Sequence, residues 1–272
     1  MINGQLNFQT GEILHFDKPY GWTSFRVVKH VRHFMCERLG VKKLKVGHAG
    51  TLDPLATGVM TICTGQATKQ IEELQYHTKE YEATLCIGAT TPSFDQEHPI
   101  DSIYPTEHIT RELVEEVLQQ FKGEIWQVPP VFSACNVDGK RAYLYARKGQ
   151  EVELKPKLLV IDEIELLDFK RLTDYKPSPH RRREPDDKEL LMMDSGNFYL
   201  LKIRVVCSKG TYIRALARDI GEALHSGAHL TALRRTRVGK VRVEQCLHPQ
   251  DFEAWLKQQD VAPYRIEEII TI

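Results

Sequence analysis

The chain has 272 residues, 42% of them hydrophobic and 27% charged, with a formal net charge of zero. That composition fits an ordinary globular protein with a substantial core, in one large domain or two small ones. The neutral total excludes inferring a nucleic-acid partner from net charge alone, but the distribution is uneven. Residues 201–242 carry ten Lys/Arg against two Asp/Glu, while residues 243–272 carry two against six. A basic block in a neutral protein implies one cationic face. Six widely spaced cysteines form no CxxC pair and no zinc-ligand cluster, which favours a reducing compartment and no structural metal. The N-terminus lacks a basic-then-apolar signal pattern and no segment has membrane-spanning length, so the expected location is cytoplasmic.

In chain order, residues 1–10 are polar and read as an N-terminal extension. Residues 13–16 form a strand candidate. Pro19 and Gly21 mark a turn, and Thr23 or Ser24 caps a helix whose stripe is Phe25, Val28, Val31 and Met35. Gly40 ends that helix. Lys42, Lys43 and Lys45 follow, either a solvated surface or a cationic approach to the next segment. That segment is Gly47-His48-Ala49-Gly50-Thr51-Leu52-Asp53-Pro54-Leu55-Ala56-Thr57-Gly58. It reads as a stiff glycine-rich loop holding one carboxylate, Asp53, ahead of an apolar strand over residues 59–63. By local chemistry Asp53 is either the hydrogen-bonding residue of a turn or a functional group.

Residues 66–76 suggest a short helix. Residues 79–88 alternate with Tyr81, Ala83, Leu85 and Ile87 on one face of a half-buried strand. Residues 89–105 read as a polar loop, and Leu113 to Phe121 as a helix followed by a strand over residues 125–128. From Arg141 to Lys148 the pattern is a basic, aromatic helix with Tyr143 and Arg147 on one face. It is either a nucleic-acid surface or a plain surface helix. Residues 158–169 read as a strand and residues 170–195 as a mobile insertion loop. Residues 198–207 alternate as a strand. Tyr212 opens a helix with Ile213, Leu216, Ile220 and Leu224 inward and Arg214 and Arg218 on another face. A basic segment holding Leu233, Arg234 and Arg235 follows, then a short helix around Phe252, Trp255 and Leu256. Strands and helices mix without βαβ regularity, predicting an α/β or α+β domain with a mixed, largely antiparallel central sheet flanked by helices.

Taken together, several stretches resemble the TruB family of tRNA pseudouridine synthases, which modify uridine 55 in the T arm. They are Lys18-Pro19-Tyr20-Gly21-Trp22-Thr23-Ser24, the Asp53 segment, Lys79-Glu80-Tyr81, residues 127–134, residues 139–143, residues 208–214, and Gly227 to Leu230 with Leu233-Arg234-Arg235. The resemblance runs in order from about Ile13 to Gly239. It implies the pseudouridine synthase fold over residues 11–240 and an isomerase acting on tRNA by base flipping. It implies Asp53 as nucleophile, Arg214 pairing with it, Tyr81 stacking on the flipped base, and His48 holding the extruded conformation. Tyr212 and Leu233 would line the pocket, with Lys18 near it. Lys42, Lys43, Lys45, Arg141, Tyr143, Arg147, Arg234 and Arg235 would supply RNA contacts. It implies no metal or cofactor, because the reaction is an isomerisation, and a monomer on the tRNA T-arm stem-loop. Residues 241–272 are too short for the family's PUA domain and are expected to be a brief extension. An RNA-binding module, or an enzyme on ribosomal or guide-directed RNA, are the competing readings.

Overall fold

The structure, a computed structural model, describes residues 4–133, 135–137, 139–146, 148–150, 152–172 and 197–265, with Tyr143 described by its backbone. The chain begins with β1 (Ile13–Lys18), α1 (Ser24–Leu39), β2 (Val46–Ala49) and β3 (Ala56–Thr64). A 3-10 turn over Gly65–Gln70 leads into α2 (Ile71–Leu74). Then come β4 (Lys79–Ile87), β5 (Ala89–Thr90), β6 (Ser102–Ile103), α3 (Arg111–Gln119) and β7 (Gly123–Gln127). β8 (Asn136–Val137), β9 (Lys140–Arg141), α4 (Ala142–Ala146) and β10 (Lys157–Leu172) follow. The last elements are β11 (Phe198–Cys207), α5 (Ile213–Ala223), β12 (Ala228–Val238), β13 (Val241–Arg242) and α6 (Phe252–Lys257). No helix among the described residues is long and apolar enough to cross a membrane.

The chain divides into two compact units, residues 1–77 with 235–272, and residues 78–234. In the first, β3 pairs antiparallel with β1 and with β2, and the end of β12 and β13 complete the layer. Helix α1 starts as its sequence dictates. The Thr23 side chain accepts from the Arg26 amide, and Gly40 closes the helix at φ 66°, a left-handed position glycine adopts at low cost. Its buried face is Ser24, Val27, Val28, Val31 and Met35. Phe25, expected inside, is 65% exposed. Standing one residue after Ser24, it is rotated about 100° off that face.

Residues 6 and 8 of the N-terminal extension pack into the core. Leu6 and Phe8 are fully buried, and Leu6 exchanges backbone hydrogen bonds with Asp260 and Ala262. Phe252 of α6 meets Phe16 of β1 edge-on, with ring centroids 5.3 Å apart, a geometry worth about 0.5–1.5 kcal/mol beyond area burial. The two ends of the chain thus build one core.

The second unit orders its strands β12-β4-β11-β10-β7, and β4, β11, β10 and β7 pair antiparallel. Strand β4 is buried on both faces rather than one, since Glu80 and Cys86 are buried alongside Tyr81 and Leu85. Residues 89–105 are not a simple polar loop. β5 and β6 pair as a small hairpin, and Thr91, Ser93, Asp95 and Gln96 between them are buried. The basic segment 230–239 is mostly strand, within β12. The expected insertion loop lies, from residue 173 to 195, outside the described residues.

Candidate active site

The sequence expectation of a loop from Gly47 to Gly58 is corrected by β2 and β3, which pair His48 with Ile62 and Ala49 with Thr61. The segment is a β-hairpin, and Asp53 sits in its connection, half-buried. Asp53 shapes the connection through its backbone, its carbonyl accepting from the Ala56 amide at 3.1 Å.

Three groups of the first unit hold this connection. Ser24, the first residue of α1, grips Leu52. Its hydroxyl donates to the Leu52 carbonyl and accepts from the Leu52 amide, both at 2.9 Å. The Pro54 carbonyl accepts from the Gly21 amide at 2.9 Å and from the Lys18 ammonium at 3.4 Å. Arg235 reaches in from β12, its Nε donating to the Val59 carbonyl at 2.7 Å and Nη2 to the Gly50 carbonyl at 3.2 Å. Its approach depends on Gly58, at φ 108°, where a Cβ would run into the Arg235 backbone. Both neighbours of Asp53 are therefore tied down.

The sequence offers Ser24 as a helix cap and as the close of the first motif, not as the holder of Leu52; the cap is Thr23. A hydroxyl that brackets one residue can be recognised only when the fold brings residues 24 and 52 together. Ser24→Ala is expected to destabilise the fold by about 1–3 kcal/mol, because the buried Leu52 amide and carbonyl lose their partner. Denaturant titration checks this; unchanged stability would show that the Leu52 groups find other partners.

Arg235 corrects an expectation. It is 2% exposed, and its guanidinium is engaged by backbone carbonyls, so it is a brace of the hairpin and not a surface cation for RNA. Lys18 is fully buried and donates to the carbonyls of Pro19, Trp22 and Pro54. Burial pushes its ammonium down from 10.5 to about 8, the Asp53 charge working the other way and Arg235 adding to the fall. The unfolded chain keeps this proton up to about pH 10.5, whereas the folded chain releases it near 8. Below pH 8 both states are charged and the fold bears the burial cost, on the order of 3 kcal/mol. That cost is relieved as pH rises from 8 to 10.5. Wild type should therefore gain stability relative to Lys18→Met across this window in parallel denaturant titrations. A difference independent of pH would place the proton elsewhere. His48, on β2, is also shifted down, first by burial and then by the Arg235 charge, while its hydrogen bond to the Gly50 backbone opposes the shift. At neutral pH its imidazole is uncharged.

In the second unit Tyr81 stands on β4 opposite Val205, 7% exposed. Arg214, the second residue of α5, is 4% exposed. Its Nε lies 3.5 Å from an Asp95 carboxylate oxygen, and its Nη atoms donate to the carbonyls of Ser93 (3.1 Å) and Phe132 (2.9 Å). Asp95 also accepts from the Ser93 hydroxyl (2.6 Å) and the Glu97 amide (2.9 Å), so the arginine is held in a fixed direction. Asp95 was missed by sequence reasoning, which saw only a polar loop. The Tyr212 amide donates to the Gln127 side chain at 2.9 Å, and Leu233 lies half-buried on β12. Lys42, Lys43, Lys45 and Arg141 are exposed and Arg234 is half-buried; Arg147 and the Tyr143 side chain lie outside the described residues.

Comparison with known proteins identifies the family. Residues 37–213 match the TruB family pseudouridylate synthase N-terminal domain, and residues 214–271 the tRNA pseudouridylate synthase B C-terminal domain. The chain is 66% identical to tRNA pseudouridine synthase B of Bacteroides fragilis over 94% of this chain and 98% of that one. It is 64% identical to the protein of the same name from Phocaeicola vulgatus, over 97% and 99%. Among solved structures, a chain of a Cbf5-Nop10-Gar1 complex superposes with a TM-score of 0.59 at 26% identity, over 92% of this chain and 55% of that one. The chain belongs to the TruB family of pseudouridylate synthases.

Proposed function

We infer that this protein is an isomerase that converts uridine in tRNA to pseudouridine, with uridine 55 of the T arm as its target and Asp53 as the nucleophile. The observation that carries the assignment of Asp53 is its mount. A half-buried carboxylate stands in a hairpin connection whose flanking residues are fixed by Ser24, Lys18 and Arg235. A fold that immobilises both neighbours of one carboxylate suits a group that must meet a reacting atom in a set position.

The reaction breaks the bond between N1 of the base and C1′ of the sugar and forms one from C5 to C1′. A proton leaves C5 and N1 gains one, so atoms and charge balance with no redox change. Attack by Asp53 at C1′ or at the base both satisfy this balance. The target base must leave the helical stack to be reached. We assign Tyr81 to stacking on that base, His48 to supporting the extruded conformation, and Tyr212 and Leu233 to lining its pocket. Arg214, aimed by Asp95, supplies the cation that the developing charge requires. The test is tritium release from a T-arm stem-loop carrying uridine labelled at C5. Release in step with pseudouridine is expected, and its absence from folded wild-type protein would refute the assignment.

A further inference from the structure

At the other end of β2 from the Asp53 connection, Arg32, Lys42, Lys43, Leu44, Lys45 and Tyr264 line a cavity of about 550 Å³. Its construction follows from the sequence. Leu44 is buried in the core and pins the segment, so the lysines on either side of it stand in solvent. Arg32 joins from α1. Tyr264 arrives from the far end of the chain, partly buried against the same core, so its ring is held in place. The described lining residues comprise four cations, one aromatic ring and no acid. Cations alone would fit any polyanion. Cations around a fixed aromatic face fit a nucleic-acid strand, with phosphates on the lysines and a base or ribose on the ring.

We propose that this cavity is a second tRNA-binding subsite, holding a phosphodiester segment with one nucleotide packed on Tyr264. It rests on the reading of tRNA as substrate and adds a site apart from that of the reacting base. Four residues of β2 separate Lys45 from Gly50, a span of about 17 Å. The nucleotides held here therefore lie several positions from the target uridine, or on another part of the folded tRNA.

The test measures tRNA binding against salt in protein carrying Asp53→Asn, so that binding is read without turnover. Adding Lys42→Ser with Lys43→Ser should weaken binding and flatten the slope of log affinity against log salt by about 1.4–1.8. Tyr264→Ala should weaken binding about fivefold to a hundredfold with the slope unchanged. Because Tyr264 also packs against the core, Tyr264→Trp gives an independent reading, its emission changing on tRNA addition. Unchanged slope, affinity and emission would overturn the subsite. Tritium release from wild type together with unchanged slopes removes the subsite alone. Shifted slopes with no release support the subsite and remove the assigned reaction.

Discussion

Asp53→Asn should abolish pseudouridine formation while the protein stays folded and still binds tRNA. The substitution keeps size and shape and replaces a nucleophilic oxygen with an amide nitrogen. The carboxylate lies in a hairpin connection, half-buried, and the bonds that hold that connection come from backbone groups of residues 50, 52, 53 and 54. None of these is altered. The buried Lys18 ammonium loses the opposite charge of Asp53, so the unfolding free energy should fall by about 1 kcal/mol, too little to unfold the protein. The rate should fall by at least about 10⁴-fold, as for loss of a covalent nucleophile elsewhere. Single-turnover assays with enzyme in excess over tRNA measure this free of product release. Retention of a tenth of the wild-type rate would remove Asp53 from the chemical step.

Arg235→Leu should have the largest effect on the folded state. Two carbonyls lose their charged donor, that of Val59 in the buried core and that of Gly50 in a part-buried position. Each buried acceptor left without a partner costs about 1–3 kcal/mol, more where the lost donor was charged. The expected loss is about 2–5 kcal/mol, a fall in Tm on the order of 10 °C. Because the Gly50 carbonyl belongs to the Asp53 connection, kcat should fall with stability. A surface RNA contact would behave in the opposite way, with tRNA affinity reduced and Tm unchanged. Thermal unfolding and tRNA binding of the same variant separate the two roles.

Much of the fold was legible because its signals are local. The Thr23 cap, the Gly40 stop and the alternation of residues 198–207 each act within one element, and each appears where expected. The errors share a different origin. Phe25 was assigned to the core from spacing, but the buried face centres on Ser24, a polar residue recruited to hold Leu52. Gly47 and Gly50 suggest turns, yet residues 47–49 are strand because they pair with β3. Leu6 and Phe8 stand in a stretch that reads as a polar extension and are buried in one cluster with Phe252 and Leu256, more than 240 positions later.

The candidate residues divide along the same line. Asp53, His48, Lys18, Tyr81 and Arg214 could be named from motifs that are continuous in sequence. Their supports could not. Ser24 acts across 28 positions, Asp95 on Arg214 and Arg235 on Gly50 across far more, and no periodicity encodes such pairs. Arg235 is the clearest case. In sequence it is one of three arginines in a basic run, and only the close approach of β12 to Gly58 shows that it points inward.

The unit that carries Asp53 is built from the two ends of the chain, with residues 78–234 inserted between them. This imposes an order on synthesis. A nascent chain ending before residue 235 already contains Asp53, His48, Lys18 and Ser24, but it has neither the arginine under Gly50 nor the Phe252 ring that closes on Phe16. Closing that core requires joining segments some 160 residues apart, an entropic cost met only when the intervening unit has compacted. Asp53 is among the first groups of its unit to be made, and the residues that brace its connection are among the last.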